Sequence, residues 1–128
     1  MLRVYLLILI LCSPAVVQAT EYQCKVEKKF DLEHVSTSDE IKRGQFSVLV
    51  DEKVSATFIS RCSFSSSDQK VTCDRYEVDK VIFDDVAKIK KYYVFRSQFD
   101  VQLFPNLLFM ENNGRGGVAF GRCTLVAP

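Results

Sequence analysis

The stretch Arg61-Cys62-Ser63-Phe64-Ser65-Ser66-Ser67-Asp68-Gln69-Lys70-Val71-Thr72-Cys73-Asp74 decides the fold. Two cysteines flank a polar, serine-rich loop, and each lies in a run that alternates apolar and polar residues. Such a pattern predicts a β-hairpin, with Cys62 and Cys73 opposite each other on its two strands.

On the N-terminal side, Tyr22, Cys24, Val26, Phe30 and Leu32 share one parity, with Lys28 breaking an otherwise apolar face. This period of two is that of a half-buried strand. Between them and the hairpin, Glu33 to Gly44 loses the alternation. A serine stands at a plausible N-cap, acids come early, bases late, and a glycine closes the segment, which predicts a short helical turn near residues 36–43. Strand patterns then resume at Phe46–Val50 and Val54–Phe64, and beyond the hairpin at Val81–Phe83, Ile89–Phe95, Phe99–Leu103, Leu107–Met110 and Val118–Leu125. The expectation is an all-β, antiparallel meander of seven or eight strands, forming a small closed or partly open barrel. The phenylalanines of these runs, Phe46, Phe58, Phe64, Phe83, Phe95, Phe99, Phe109 and Phe120, are assigned to its core.

Compartment follows from the N-terminus and the cysteines. Arg3, the apolar run Val4–Leu11, Pro14 and the small residues of Val17-Gln18-Ala19 form the pattern of a secretory signal, cut after Ala19. The run is too short for a membrane span, which takes roughly 20 residues. Leu11 is bulky where lipoprotein processing at Cys12 wants a small residue. Residues 20–128 are therefore read as one exported domain, periplasmic or extracellular, with no transmembrane span. The chain holds five cysteines; losing Cys12 leaves four, which implies two disulfides. The hairpin favours Cys62–Cys73, leaving Cys24–Cys123. A zinc site needs a close C-x₂₋₄-C pair, which is missing, and no cofactor motif is found.

Charge narrows the partners. The sequence has 17 Lys+Arg against 16 Asp+Glu, and removing Arg3 with the signal balances them. Without a basic excess, nucleic acid is not an expected partner. Catalysis is not expected either. His34 is the one histidine, it has no evident nucleophile to serve, and the G-x-S-x-G, H-E-x-x-H and C-x-x-C patterns are absent.

Two stretches are candidates for a partner-binding surface. In Lys88-Ile89-Lys90-Lys91-Tyr92-Tyr93-Val94-Phe95-Arg96, alternation places Lys88, Lys90, Tyr92, Val94 and Arg96 outward, with Ile89, Tyr93 and Phe95 packed in. In Glu111-Asn112-Asn113-Gly114-Arg115-Gly116-Gly117, Asn-Gly is a hairpin signal, and glycines leave Arg115 projecting. Asn112, Arg115, Lys88, Lys90 and Arg96 are thus the candidate contacts, suited to an anionic partner. The expectation is an exported, non-enzymatic protein-binding or inhibitor-type module. The alternatives are a carrier of a small apolar ligand in the barrel, and a carboxylate-dependent hydrolase. In outline the chain resembles the small periplasmic lysozyme inhibitors of bacteria: signal peptide, antiparallel barrel, disulfides. The resemblance is of architecture alone. No stretch carries their inhibitory loop motifs, so no residue role transfers.

Overall fold

The computed structural model describes residues 12–14 and 19–126. The signal segment therefore lies largely outside the described residues; Cys12, which is described, is exposed and unpaired. The elements in chain order are β1 (Thr20–Phe30), α1 (Ser38–Gly44), β2 (Ser47–Glu52), β3 (Thr57–Ser65), β4 (Lys70–Glu77), β5 (Lys80–Asp84), β6 (Ile89–Val94), β7 (Phe99–Leu103), β8 (Leu108–Asn112) and β9 (Val118–Val126). They form one sheet in the order β4-β3-β2-β1-β9-β8-β7-β6-β5. Every neighbouring pair is antiparallel. The sheet curls into a half-barrel. Its nine strands are close to the seven or eight expected.

The curl has a simple cause. The two edge strands, β4 and β5, are consecutive in sequence and joined only by Val78 and Asp79. Eight inter-strand spacings of about 4.8 Å would part the edges of a flat sheet by about 38 Å. Three Cα steps span at most about 11 Å. The sheet must roll until its edges meet this link. Val78 N donates to Thr57 O of β3 (2.8 Å), and Asp79 N donates to Tyr93 O of β6 (2.9 Å), so the link bonds to both halves.

Cross-strand partners share a face, so the register identifies the concave side. Cys24, Val48 and Arg61 lie in one row, and Tyr22, Val50 and Ile59 in the next. From the other half come Glu111, Val101 and Tyr92 in one row, and Phe109, Leu103 and Lys90 in another. Val48, Val50, Ile59, Val101, Phe109 and Tyr92 are fully buried between the halves.

Both disulfides join directly opposed residues. Cys24–Cys123 ties β1 to β9 inside the core, and Cys62–Cys73 ties β3 to β4. Two disulfides are compatible with an oxidising, exported environment. Among the described residues, no helix is long and apolar enough to cross a membrane.

Several expectations about faces are corrected. A bulge between Val26 and Lys28 flips the parity of β1. Lys29 is consequently opposite buried Ala119 on the concave side, while Phe30 turns outward onto Phe120, ring centroids 5.6 Å apart. In β6 the expected parity is inverted. Tyr92 and Val94 are buried and Phe95 is 60% exposed. Of the phenylalanines assigned to the core, Phe99 and Phe109 are buried, and Phe46 packs partly buried against the core cluster. Phe64, Phe83 and Phe95 are exposed, because their strand positions face the convex side, an edge or a turn.

The helical turn is present but its caps differ. Thr37, not Ser36, is the N-cap, forming a capping box with Glu40. Gln45, at φ 47°, is the left-handed C-cap. Gly44 has another role: a Cβ there would overlap the ring of Phe46.

Replacing each disulfide by an alanine pair should separate their contributions. Cys24–Cys123 closes a separation of 99 residues and Cys62–Cys73 one of 11. Loop entropy assigns about 4.7 kcal/mol to the long closure and about 3 kcal/mol or less to the short one. Urea titration should therefore show the larger loss for the Cys24/Cys123 pair. Equal losses would contradict this assignment.

Candidate functional site

A narrow half-barrel cannot be lined by alternating side chains alone without exposing its open ends, and both ends carry polar groups. At one end Glu52 of β2 reaches across to β6. It accepts from Lys90 Nζ at 2.9 and 3.2 Å and from the Tyr92 hydroxyl in a short contact. Tyr92 is 0% exposed. Burial first, and then the Glu52 carboxylate, push its hydroxyl well above the ordinary tyrosine value. Lys90 Nζ also stands 5.9 Å from the Tyr22 ring. Lys90 is thus a cross-barrel contact and not part of the expected outward-facing lysine surface.

At the other end Arg61 of β3 meets Glu111 of β8, Nη2 to Oε1 2.5 Å. Glu111 is the one buried charged residue among those described, at 7% exposure. The Arg61 guanidinium also lies 4.7 Å above the Phe99 ring, and Phe99 meets Tyr76 edge-on at 4.9 Å. An uncompensated carboxylate in this position would cost several kcal/mol, so the arginine is required by the site and not merely tolerated. The cation–π contact with Phe99 adds a second restraint on the guanidinium beside the Glu111 ion pair.

Around this pair opens a pocket of about 210 Å³. Besides Arg61 and Glu111 it is lined by Lys29, Asp74, Tyr76 and Asn113. The Lys29 ammonium rests 3.9 Å over the Phe46 ring, a cation–π contact that leaves its polar side free. Asp74 stands opposite Arg61 in the β3–β4 register.

The loop carrying Arg115 forms the rim. Asn112 Oδ1 accepts from Gly114 N at 2.9 Å, and Asn113 Oδ1 accepts from Arg115 N (2.7 Å) and Gly117 N (2.9 Å). Asn112 is therefore a loop-building residue. Gly114, at φ 72°, lies so close to the carbonyl of Gln98 that any Cβ would overlap it. The Arg115 loop and the Phe95–Gln98 turn, which carries Arg96, are packed together as a result.

The structure thus brings Arg115 and Arg96 onto neighbouring turns, and Asn113 and Gly117 of the Arg115 loop line the pocket. It does not join them to Lys88, which sits in the β5–β6 turn with Nζ 5.8 Å from the Phe83 ring. Among the described residues, Lys29, Arg96 and Arg115 make no ion pair. Lys29 and Arg61 were missed by sequence reasoning. The signal for Lys29 was the break in the β1 apolar face, one residue away at Lys28.

His34 pairs with Glu40 on the surface, Nε2 to Oε2 2.9 Å. That hydrogen bond, followed by the bond from Thr37 N, lowers the Glu40 carboxyl below its ordinary value. The pair belongs to the helix cap. No group of three or more His, Cys, Asp or Glu among the described residues is arranged to hold a metal ion.

No protein-family model matches the chain, and no curated protein or solved structure matches it either.

The Tyr92–Glu52 contact has a pH signature. With its pKa raised in the fold, Tyr92 keeps a proton that the unfolded chain loses near pH 10. Its contribution is complete below about pH 10 and is lost progressively as pH rises above it. Wild-type stability should fall above pH 10 more steeply than that of Tyr92→Phe, by up to about 1.4 kcal/mol per pH unit. At pH 7 the variant should be less stable by about 1.5–3 kcal/mol, the range for a bond to a charged group. Parallel alkaline limbs in urea titrations of the two proteins would contradict this account.

Proposed function

We propose that this is an exported, non-enzymatic protein-binding module of inhibitor type, holding an acidic group of its partner at the Arg115 end of the half-barrel. The observation that carries the reading is the pocket, where Lys29, which makes no ion pair among the described residues, shares the wall with a guanidinium held by Glu111 and Phe99, and where Asn113 and Gly117 bring in the loop that carries the exposed Arg115. Glu111 is already engaged by Arg61, so Asp74 is the remaining acid in the pocket wall. Arg96 adds a further cation on the turn packed against the Arg115 loop. A carboxylate entering here gains charge-assisted hydrogen bonds in a partly desolvated setting, which strengthens them. Two disulfides and a filled core supply the rigidity that lowers the entropic cost of binding.

The other readings draw less support. An apolar ligand inside the barrel would meet an interior occupied by Tyr92, Phe109 and Phe99, and the barrel pocket beside Arg61 carries charged groups in its wall. A carboxylate hydrolase would need Glu111 as acid or base, whereas Arg61 holds it in an ion pair.

The test is capture of an envelope or extracellular partner on the immobilised protein, compared with the variant Lys29→Glu/Arg115→Glu. Wild-type capture should weaken with added salt, and the variant should lose it at least tenfold. Arg115 is exposed, so Arg115→Glu alone should weaken capture while leaving the melting temperature nearly unchanged, because substitutions at exposed positions usually cost under about 0.5 kcal/mol. Equal capture by both proteins, or an apolar molecule retained in native mass spectrometry without any partner, would overturn the proposal.

A further inference from the structure

The edge strand β5 lacks the usual defences. Among the described residues it pairs with β6 alone. Its three central residues, Val81, Ile82 and Phe83, are 44%, 38% and 52% exposed. Edge strands ordinarily carry charges, prolines or bulges that discourage pairing with another chain. The opposite edge, β4, follows that rule with Lys70, Asp74, Arg75 and Glu77 along its length. β5 places its charges only at its two ends, Lys80 and Asp84.

That arrangement is self-complementary. Two copies of Lys80-Val81-Ile82-Phe83-Asp84, laid antiparallel about a two-fold axis at Ile82, bring Lys80 of each opposite Asp84 of the other. Val81 then faces Phe83 on both sides of the axis, and Ile82 faces its symmetry mate. Lys80, Ile82 and Asp84 share one parity, so both ion pairs fall on the same face as the central isoleucines. Asp84 uses Oδ1 to accept from Val86 N and Ala87 N, both at 3.0 Å. Its second oxygen remains available for a lysine. Those backbone bonds, from Ala87 and then Val86, also lower its carboxyl below the ordinary aspartate value, keeping it ionised.

We propose that β5 is a homodimerisation edge, pairing antiparallel with β5 of a second copy through Lys80–Asp84 ion pairs flanking an apolar centre. The contact is isologous, so it closes at two copies and does not propagate. Pairing β5 to the edge β4 would be heterologous and open-ended, and the scattered charges of β4 offer no matching pattern. The contact is shorter than a standard interface, which buries about 800 Å² on each partner. Dissociation in the micromolar range is the corresponding expectation.

Sedimentation of the folded, disulfide-bonded protein from about 1 μM to about 1 mM would span that range. The wild type should pass from monomer to dimer. Lys80→Glu and Asp84→Lys, each alone, should weaken dimerisation at least tenfold, since like charges directly opposite are destabilising. An equimolar mixture of the two variants should recover it, because each heterodimer again has two opposite-charge pairs. Asp84 also supports the β5–β6 turn, so Ile82→Cys supplies an independent reading. On oxidation it should yield a dimer linked between the two introduced thiols, whereas Val71→Cys on β4 should stay monomeric. A wild type monomeric throughout, variants that dimerise as well as it does, or no cross-link through position 82 would overturn the proposal.

Discussion

The rolled sheet depends on a covalent constraint: Val78 and Asp79 alone separate the strands at its two edges. A flat nine-stranded sheet is incompatible with so short a link, and the right-handed twist of strands provides the direction in which to roll. Once rolled, β2 and β3 face β6, β7 and β8 across a narrow interior. Contacts between residues distant in sequence follow from this, including Tyr76 on Phe99, Glu52 with Lys90 and Tyr92, and Arg61 with Glu111. The central β1 and β9, joined by Cys24–Cys123, form the spine opposite the link.

The interior is layered in polarity. Val48, Val50, Ile59, Val101 and Phe109 fill its middle, and each end is closed by an acid from one half and a base from the other. A buried ion pair gains little over a hydrophobic pair of the same volume, but losing one partner is costly. Such pairs act as alignment marks: the buried Glu111 and the half-buried Glu52 are compensated only if the opposing half arrives in the correct register. The same desolvation that makes the Arg61 end demanding also makes it a place where an incoming carboxylate would be held firmly.

Much of the architecture was legible in the sequence, and the reason is local. Strand alternation, hairpin turns and the opposition of Cys62 to Cys73 are decided within a dozen residues. Inside and outside were less legible. The bulge after Val26 flips the face of β1 without any glycine or proline to mark it. In β6, lysines at 88 and 90 suggested a solvated face, yet Lys90 faces inward because Glu52, 38 residues earlier, awaits it. No periodicity can report a counter-ion supplied by another strand. The candidate site suffered most: Arg115 stood out because glycines surround it, whereas Lys29 and Arg61 looked like ordinary strand residues. Asn112, singled out with Arg115, builds the loop. The β5 run was visible as a strand, but its symmetry mattered only once the sheet order left it at an edge.

The central claim is that opposed charges register the two halves of the rolled sheet. A double-mutant cycle on Arg61→Met and Glu111→Leu, read by urea titration, tests it most directly. Each residue replaced alone strands its partner, and Arg61→Met should cost about 3–5 kcal/mol by leaving a buried carboxylate unpaired. The double replacement should recover most of that loss, giving a coupling energy above about 1.5 kcal/mol. Additive losses, with the double variant as unstable as the sum of the two, would contradict the claim that Arg61 and Glu111 meet across the barrel.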